Sequence, residues 1–209
     1  MMRKEKWLIL NIPTEEGSIR RMSKKPEIIV FAGPNGSGKS TITSLAKIIE
    51  PYINADDIKR TTLCTDMEAA ITADELRNKL IDNGESFTFE TVLSTERNLL
   101  LLERAKENGY FIRCIYVLTA NPAININRIK TRVANGGHPV PDEKVISRYY
   151  KALDLIPRLV EVCDVCHIYD NTNLPVRIFK KRKDKVFFWE SNEWSIEAIE
   201  KLTGCDFNE

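Results

Sequence analysis

One stretch constrains the chain more than any other. Ile28–Thr41 reads IIVFAGPNGSGKST, an apolar run that stops at a glycine and then closes on a lysine and two hydroxyls. Gly33 to Ser40 matches G-x-x-x-x-G-K-[ST], in which glycines let the backbone curl so that consecutive N–H groups point at phosphate oxygens. Gly33, Pro34, Asn35, Gly36, Ser37 and Gly38 make the cradle, Lys39 reaches the β- and γ-phosphates, and Ser40 offers its hydroxyl to Mg²⁺. Thr41 either touches the α-phosphate or packs. The expected ligands are ATP and Mg²⁺. A cradle of this kind needs a strand before it and a helix after it, which points to an α/β fold.

The rest of the chain alternates accordingly. Strands are expected at Glu27–Ala32, Tyr52–Ala55, Ser86–Thr91, Tyr110–Thr119 and Val165–Tyr169, the fourth an apolar run suited to burial on both faces. Helices are expected over Lys39–Glu50, Thr95–Asn108 and Asp142–Val162. Another follows the capping box TADE at Thr72–Glu75 and ends near Gly84. Asn121 and Pro122 supply an N-cap and N1 proline for a further helix, which Gly136 and Gly137 stop. Val176–Phe179 and Val186–Trp189 flank KKRKDK as a hairpin, and Trp194–Leu202 closes the chain as a helix. The predicted fold is a P-loop NTPase with a parallel five-stranded sheet in the kinase-like order 2-3-1-4-5, flanked by helices. Residues 1–25 read as an N-terminal extension, 26–175 as a P-loop kinase-like domain, and 176–209 as a hairpin and helix packed on it.

Composition narrows the partners. The formal net charge is +1 over 209 residues, so nucleic acid or an anionic membrane would have to be recognised by a local patch. No apolar run approaches the roughly 18 residues that span a bilayer. Trp7–Ile12 is short, is broken by Asn11 and lacks a small-residue cleavage site, so the chain is expected in the cytoplasm. Five cysteines at irregular spacing do not make a disulfide framework, and Cys163, Cys166 and His167 lack a second ligand pair for zinc. The Lys180–Lys185 run reads as a hairpin turn with solvated charges.

Neither the N/T-K-x-D segment of a GTPase nor the serine-glycine signature of an ABC-type ATPase occurs, which leaves a kinase-like arrangement. Asp56 sits at the carboxyl edge of the sheet and is the candidate general base, with Asp57 as the alternative. Glu90 ends the strand beside the P-loop strand and faces Mg²⁺ or its waters. Thr91, Ser94 and Thr95 follow it in a loop on the same cleft. Arg128 and Arg132, four apart, share a helix face from which they can close on the phosphates, with Arg148 in reserve. The run Gly136, Gly137, His138, Pro139 suits the joint of a lid.

AGPNGSGKST, YINADDI, SFTFETVLS, AKENGY and RVANGGHPVP, in this order, resemble the zeta-toxin family of P-loop kinases, in particular its stand-alone members described as predicted ATPases. The likeness runs from about Glu27 to Asn171. It implies ATP-dependent phosphorylation of a sugar hydroxyl, the acceptor of toxin members being UDP-N-acetylglucosamine, with Mg²⁺ as cofactor and a small antitoxin as partner. It also implies Asp56 as the catalytic carboxylate and Glu90 as a group holding the sugar. Toxin members carry an arginine near the start of the loop after Glu90, where this chain has Arg97 further on. They also tend to carry a phosphate-sensing arginine where this chain has His138. The rival readings are a nucleotide or polynucleotide kinase and a non-catalytic ATP-binding switch.

Overall fold

The computed structural model describes residues 25–207; the expected N-terminal extension lies outside the described residues but for Lys25. Its centre is β1 (Glu27–Ala32), apolar on both sides. Ile28, Val30 and Ala32 enter the larger core cluster, whereas Ile29 and Phe31 enter a smaller one with Ile42, Ile115, Val117 and Tyr169. Alternate residues of a strand face opposite ways, so a run apolar at every position must be covered on both faces. β3 (Phe87–Thr91) and β4 (Phe111–Leu118) flank β1 in parallel, β2 (Tyr52–Ile53) joins β3, and β5 (Val165–Asp170) joins β4. The expected order 2-3-1-4-5 is the observed order of these strands.

The sheet has seven strands, not five. β6 (Val176–Arg182) pairs antiparallel with β5, and β7 (Lys185–Phe188) pairs antiparallel with β6. Half of the basic run expected as a turn lies within β6 and Lys185 opens β7, so Lys183 and Asp184 alone connect the strands. Charged residues belong in a strand when one of its faces meets water, and the other face here buries Ile178, Phe179 and Phe188.

Several helices depart from expectation. α1 (Lys39–Thr43) stops well short of Glu50; at its end Thr43 Oγ1 donates to Lys39 O at 3.1 Å and Ser44 Oγ to Thr41 O at 2.8 Å. Such back-bonds compete with the helical ladder. α2 (Ala55–Thr62) begins earlier than the expected strand allows: Asn54 caps it by accepting from Asp56 N at 2.9 Å, so Asp56 lies in a helical first turn. The long helix expected over Asp142–Val162 is two, α6 (Asp142–Asp154) and α7 (Ile156–Val162), since Pro157 lacks an N–H and its ring clashes with the preceding turn.

α3 (Asp66–Asp82) carries a capping box at Thr65 and Glu68 instead of the expected Thr72 and Glu75. Its buried positions Ala69, Ala73, Arg77 and Ile81 form a stripe that starts ahead of Thr72, so the helix must open earlier. α4 (Arg97–Glu107), α5 (Pro122–Ala134) and α8 (Ile196–Thr203) complete the set. Thr65→Ala should cost about 1 kcal/mol in urea denaturation. Thr72→Ala, at an exposed helix-interior site, should stay within about 0.5 kcal/mol of the parent.

Candidate active site

β1 runs into the glycine-rich turn, which hands the chain to α1. At Gly36 φ is +77° and a Cβ would lie 2.6 Å from Asn125 O; at Gly38 φ is +94° and a Cβ would meet Asn171 Nδ2 at 2.2 Å. Only glycine fits either place. The neighbours that crowd the turn also bind it. Asn125 Nδ2 donates to Asn35 O at 2.7 Å, and Asn171 Nδ2 donates to Ser37 O at 2.7 Å. With carbonyls drawn outward, the turn is left to present N–H groups on its other side.

Lys39 is 7% exposed, and its ammonium donates to Gly33 O at 2.8 Å and Pro34 O at 3.1 Å. Burial lowers its pKa, opposed by the charges of Glu90 and Asp56. Phe31 pairs with Glu90 and Ala32 with Thr91, which brings the Glu90 carboxylate beside the turn, 3.9 Å from the ammonium. Tyr52 OH donates to the same carboxylate at 3.0 Å; burial first, and Glu90 second, raise the phenol's pKa.

A cleft of about 780 Å³ opens over these groups. The turn contributes Asn35, Gly36, Gly38, Lys39, Ser40 and Thr41, and β3 contributes Glu90 and Thr91. Asp56 lines it from α2, whereas Asp57 faces Arg60 at 2.7 Å and does not. Arg128, Arg132 and Arg148 line the side formed by α5 and α6. The far end holds Asp74, which pairs with the buried Arg77 and accepts from Arg97 at 2.8 Å. Exposed Ser40 and the Glu90 carboxylate offer the oxygen donors that Mg²⁺ takes alongside phosphate and water. Among the described residues no cluster of three His, Cys, Asp or Glu could hold a metal alone.

Several expected residues have other surroundings. Arg128, expected on a moving lid, is tied down: it donates to Ser37 O at 3.4 Å, Asn171 O at 2.8 Å and Thr172 O at 3.0 Å. Thr91 Oγ1 already accepts from Leu93 N and Asn98 Nδ2. Ser94 lies in an adjoining cavity of about 320 Å³ with Thr95, Arg148 and Lys151. His138 is exposed and off the cleft lining, its carbonyl accepting from Arg132 at 3.2 Å. Tyr52, Asp74, Arg77 and Asn125 escaped the sequence reading. The only signal for Asn125 was a polar residue facing inward on an amphipathic helix.

A family model described as Zeta toxin matches residues 50–193, more than half the chain. The chain belongs to the zeta toxin family. The matched span begins after the glycine-rich turn, so the turn is an independent observation. An uncharacterised protein of Haemophilus influenzae is 30% identical over 155 residues, covering 71% of this chain and all of that one. Among solved structures, one from the PezAT chromosomal toxin-antitoxin system of Streptococcus pneumoniae gives a TM-score of 0.57 at 17% identity, covering 88% of this chain and 81% of that one. A crystal structure of AvrRxo1-ORF1:-ORF2 with ATP gives 0.64 at 15% identity over 86% of this chain. The zeta toxin family member described here spans 64% of that chain. These likenesses establish a kinase-like P-loop fold.

Arg128→Ala separates a brace from a lid. Loss of the brace should raise the Kd for ATP about tenfold, read by calorimetry, equivalent to about 1.4 kcal/mol. A lid arginine would instead leave ATP binding intact and lower turnover by orders of magnitude.

Proposed function

We propose that the protein transfers the γ-phosphate of ATP to a hydroxyl of a small acceptor, with a UDP-amino sugar as the leading candidate. The observation that carries this reading is the single cleft that joins Lys39, Glu90 and Asp56 at one end to Asp74, Arg77 and Arg97 at the other. Its volume suits a nucleotide tail together with a second molecule.

In this reading the Asp56 carboxylate takes the acceptor's hydroxyl proton. The oxygen then attacks the γ-phosphorus in line, the bond to the bridging oxygen breaks, and ADP leaves. Lys39 and the N–H groups of the turn hold the donor's phosphates, while Arg132 and Arg148 offset charge as it moves. Mg²⁺, held through Ser40 and Glu90, would supply a Lewis acid at the phosphate oxygens. Catalysis of this step is mainly positioning and charge stabilisation, which suits a site with a buried cation and one free carboxylate.

Incubation with γ-labelled ATP and a panel of nucleotide sugars should give labelled product with the parent protein. Asp56→Asn should keep ATP affinity within about threefold and lower acceptor-dependent turnover by about 10² or more. Unchanged turnover in that variant would remove Asp56 as the base, and no product with any acceptor would leave an ATP-binding switch.

The PezAT structure belongs to a toxin-antitoxin system and the AvrRxo1 structure to a two-component complex. By analogy we propose a small antitoxin partner and action in the cytoplasm, where ATP is available. No helix of the described residues is long and apolar enough to cross a membrane. Expression of the parent should arrest growth and Lys39→Ala should relieve the arrest; equal growth of both strains, with both proteins soluble, would defeat the toxicity reading.

A further inference from the structure

The outer strands of the sheet carry chemistry that the cleft does not use. Hydrogen-bond register sets Tyr169 opposite Arg177, His167 opposite Lys180, Lys180 opposite Phe187 and Arg182 opposite Lys185. Alternation along the strands, with a bulge at Ile178 that offsets the odd spacing of Arg177 and Lys180, puts these side chains on one face of β5, β6 and β7. The inner part of that face is buried: His167 is 8% and Tyr169 5% exposed. The outer part is not. Phe187 is 44% and Trp189 38% exposed, with ring centroids 6.2 Å apart and planes 19° from parallel. Each ring has a cation at its face, Arg177 at 4.5 Å from the Trp189 centroid and Lys180 at 5.5 Å from that of Phe187.

The exposed rings are not a shortfall of packing. The hairpin's other face already supplies Ile178, Phe179 and Phe188 to the core, where Phe188 meets Phe179 edge-on at 5.3 Å. Polar side chains would serve the outer face better if it met only water. None of these residues lines the cleft.

We propose that this face binds single-stranded nucleic acid, its phosphates on Lys180 and Lys185 beside Arg177 and its bases on Phe187 and Trp189. Cations interleaved with exposed rings on a sheet face are the common solution for unpaired strands, because every base has a face to stack and every nucleotide a phosphate. The nearby acids leave the patch positive: Glu27 is taken by Arg113 at 2.8 Å, and Asp184 and Glu190 lie at the turn and just past β7. A near-neutral chain exerts no overall pull on a polyanion, so the attraction is this local one. An anionic bilayer would also draw the cations, but it takes a broader apolar face than two rings that are 44% and 38% exposed.

The test uses the full chain and a labelled 12-nucleotide single strand followed by fluorescence anisotropy, with a duplex of equal length and phosphatidylserine vesicles as comparators. The single strand should bind most tightly. Phe187→Ala and Trp189→Ala should each weaken it about 5- to 100-fold. Lys180→Gln and Lys185→Gln, which leave both rings in place, should each flatten the log–log salt dependence by about 0.7. Circular dichroism and ATP affinity should match the parent in all four variants, which separates this site from the cleft. Equal or tighter binding of duplex or vesicles, no binding of the single strand at low salt, or binding that survives loss of both rings would overturn the proposal.

Discussion

A buried ammonium sets the terms for this protein. Removing such an ion from water costs on the order of 20 kcal/mol in the idealised limit and several kcal/mol after relaxation. Lys39 meets that cost with two backbone carbonyls of its own turn and the Glu90 carboxylate. The carbonyls come with the motif, but Glu90 comes from a strand more than fifty residues on. It arrives only because β3 lies beside β1 in a register that pairs Phe31 with Glu90. Sheet order is thus an electrostatic requirement of the site as well as a packing outcome. Tyr52 extends the arrangement to β2, since its hydroxyl donates to the same carboxylate. The first three strands of the sheet's left half are therefore tied to one charge.

The right half holds the turn's backbone. Asn125 from α5 and Asn171 just after β5 take the carbonyls of Asn35 and Ser37, and Arg128 spans from the turn to Asn171 and Thr172. A carbonyl aimed at a phosphate would repel it, so drawing these groups away is as much a part of anion binding as presenting N–H groups. Asp170 completes the corner: 3% exposed, it accepts from Thr172 N at 2.9 Å and fixes the loop that carries Asn171. A shift of α5 or of the β5 end would be felt at the turn through these bonds rather than through the nucleotide.

What the sequence disclosed and what it hid divide along the same line. The P-loop, the five parallel strands and their order could be read because each depends on contiguous residues or on apolar runs that only one kind of strand explains. Asp56 was legible from its place after a short strand, although a helix cap at Asn54 defines its position rather than the strand's end. The hairpin's membership of the sheet was hidden by its charge, since KKRKDK alternates between faces and a local count cannot know which face is wet. The capping box was misplaced because two T-x-x-E runs lie seven residues apart, and only the buried stripe of α3 chooses between them. Asn125 could not be found, for its partner lies on the glycine-rich turn; Asp74 and Arg77 pair within α3, but what gives the pair its place in the cleft is Arg97 and Phe89 on other elements.

The two ends of the cleft differ in a way that bears on any reaction within it. Near the turn, Lys39, Arg132 and Arg148 face the space with Glu90 and Asp56 as the acids. At the far end Asp74 is held between Arg77 and Arg97, and Arg77 lies against the Phe89 ring at 5.1 Å. There the charges are already paired, and burial lowers the pKa of Arg77 against the pull of Asp74. An anion entering this cleft gains more from the turn, where N–H groups remain to be satisfied, than from an end whose guanidinium groups have a carboxylate. In the proposed reaction the polyphosphate tail of ATP would point toward Lys39, and the paired end would be left to an acceptor held by hydrogen bonds rather than by net charge. Selectivity for an acceptor would then rest on the spacing of α3 and α4 around Asp74, which sequence can vary without disturbing the cradle on which donor binding rests.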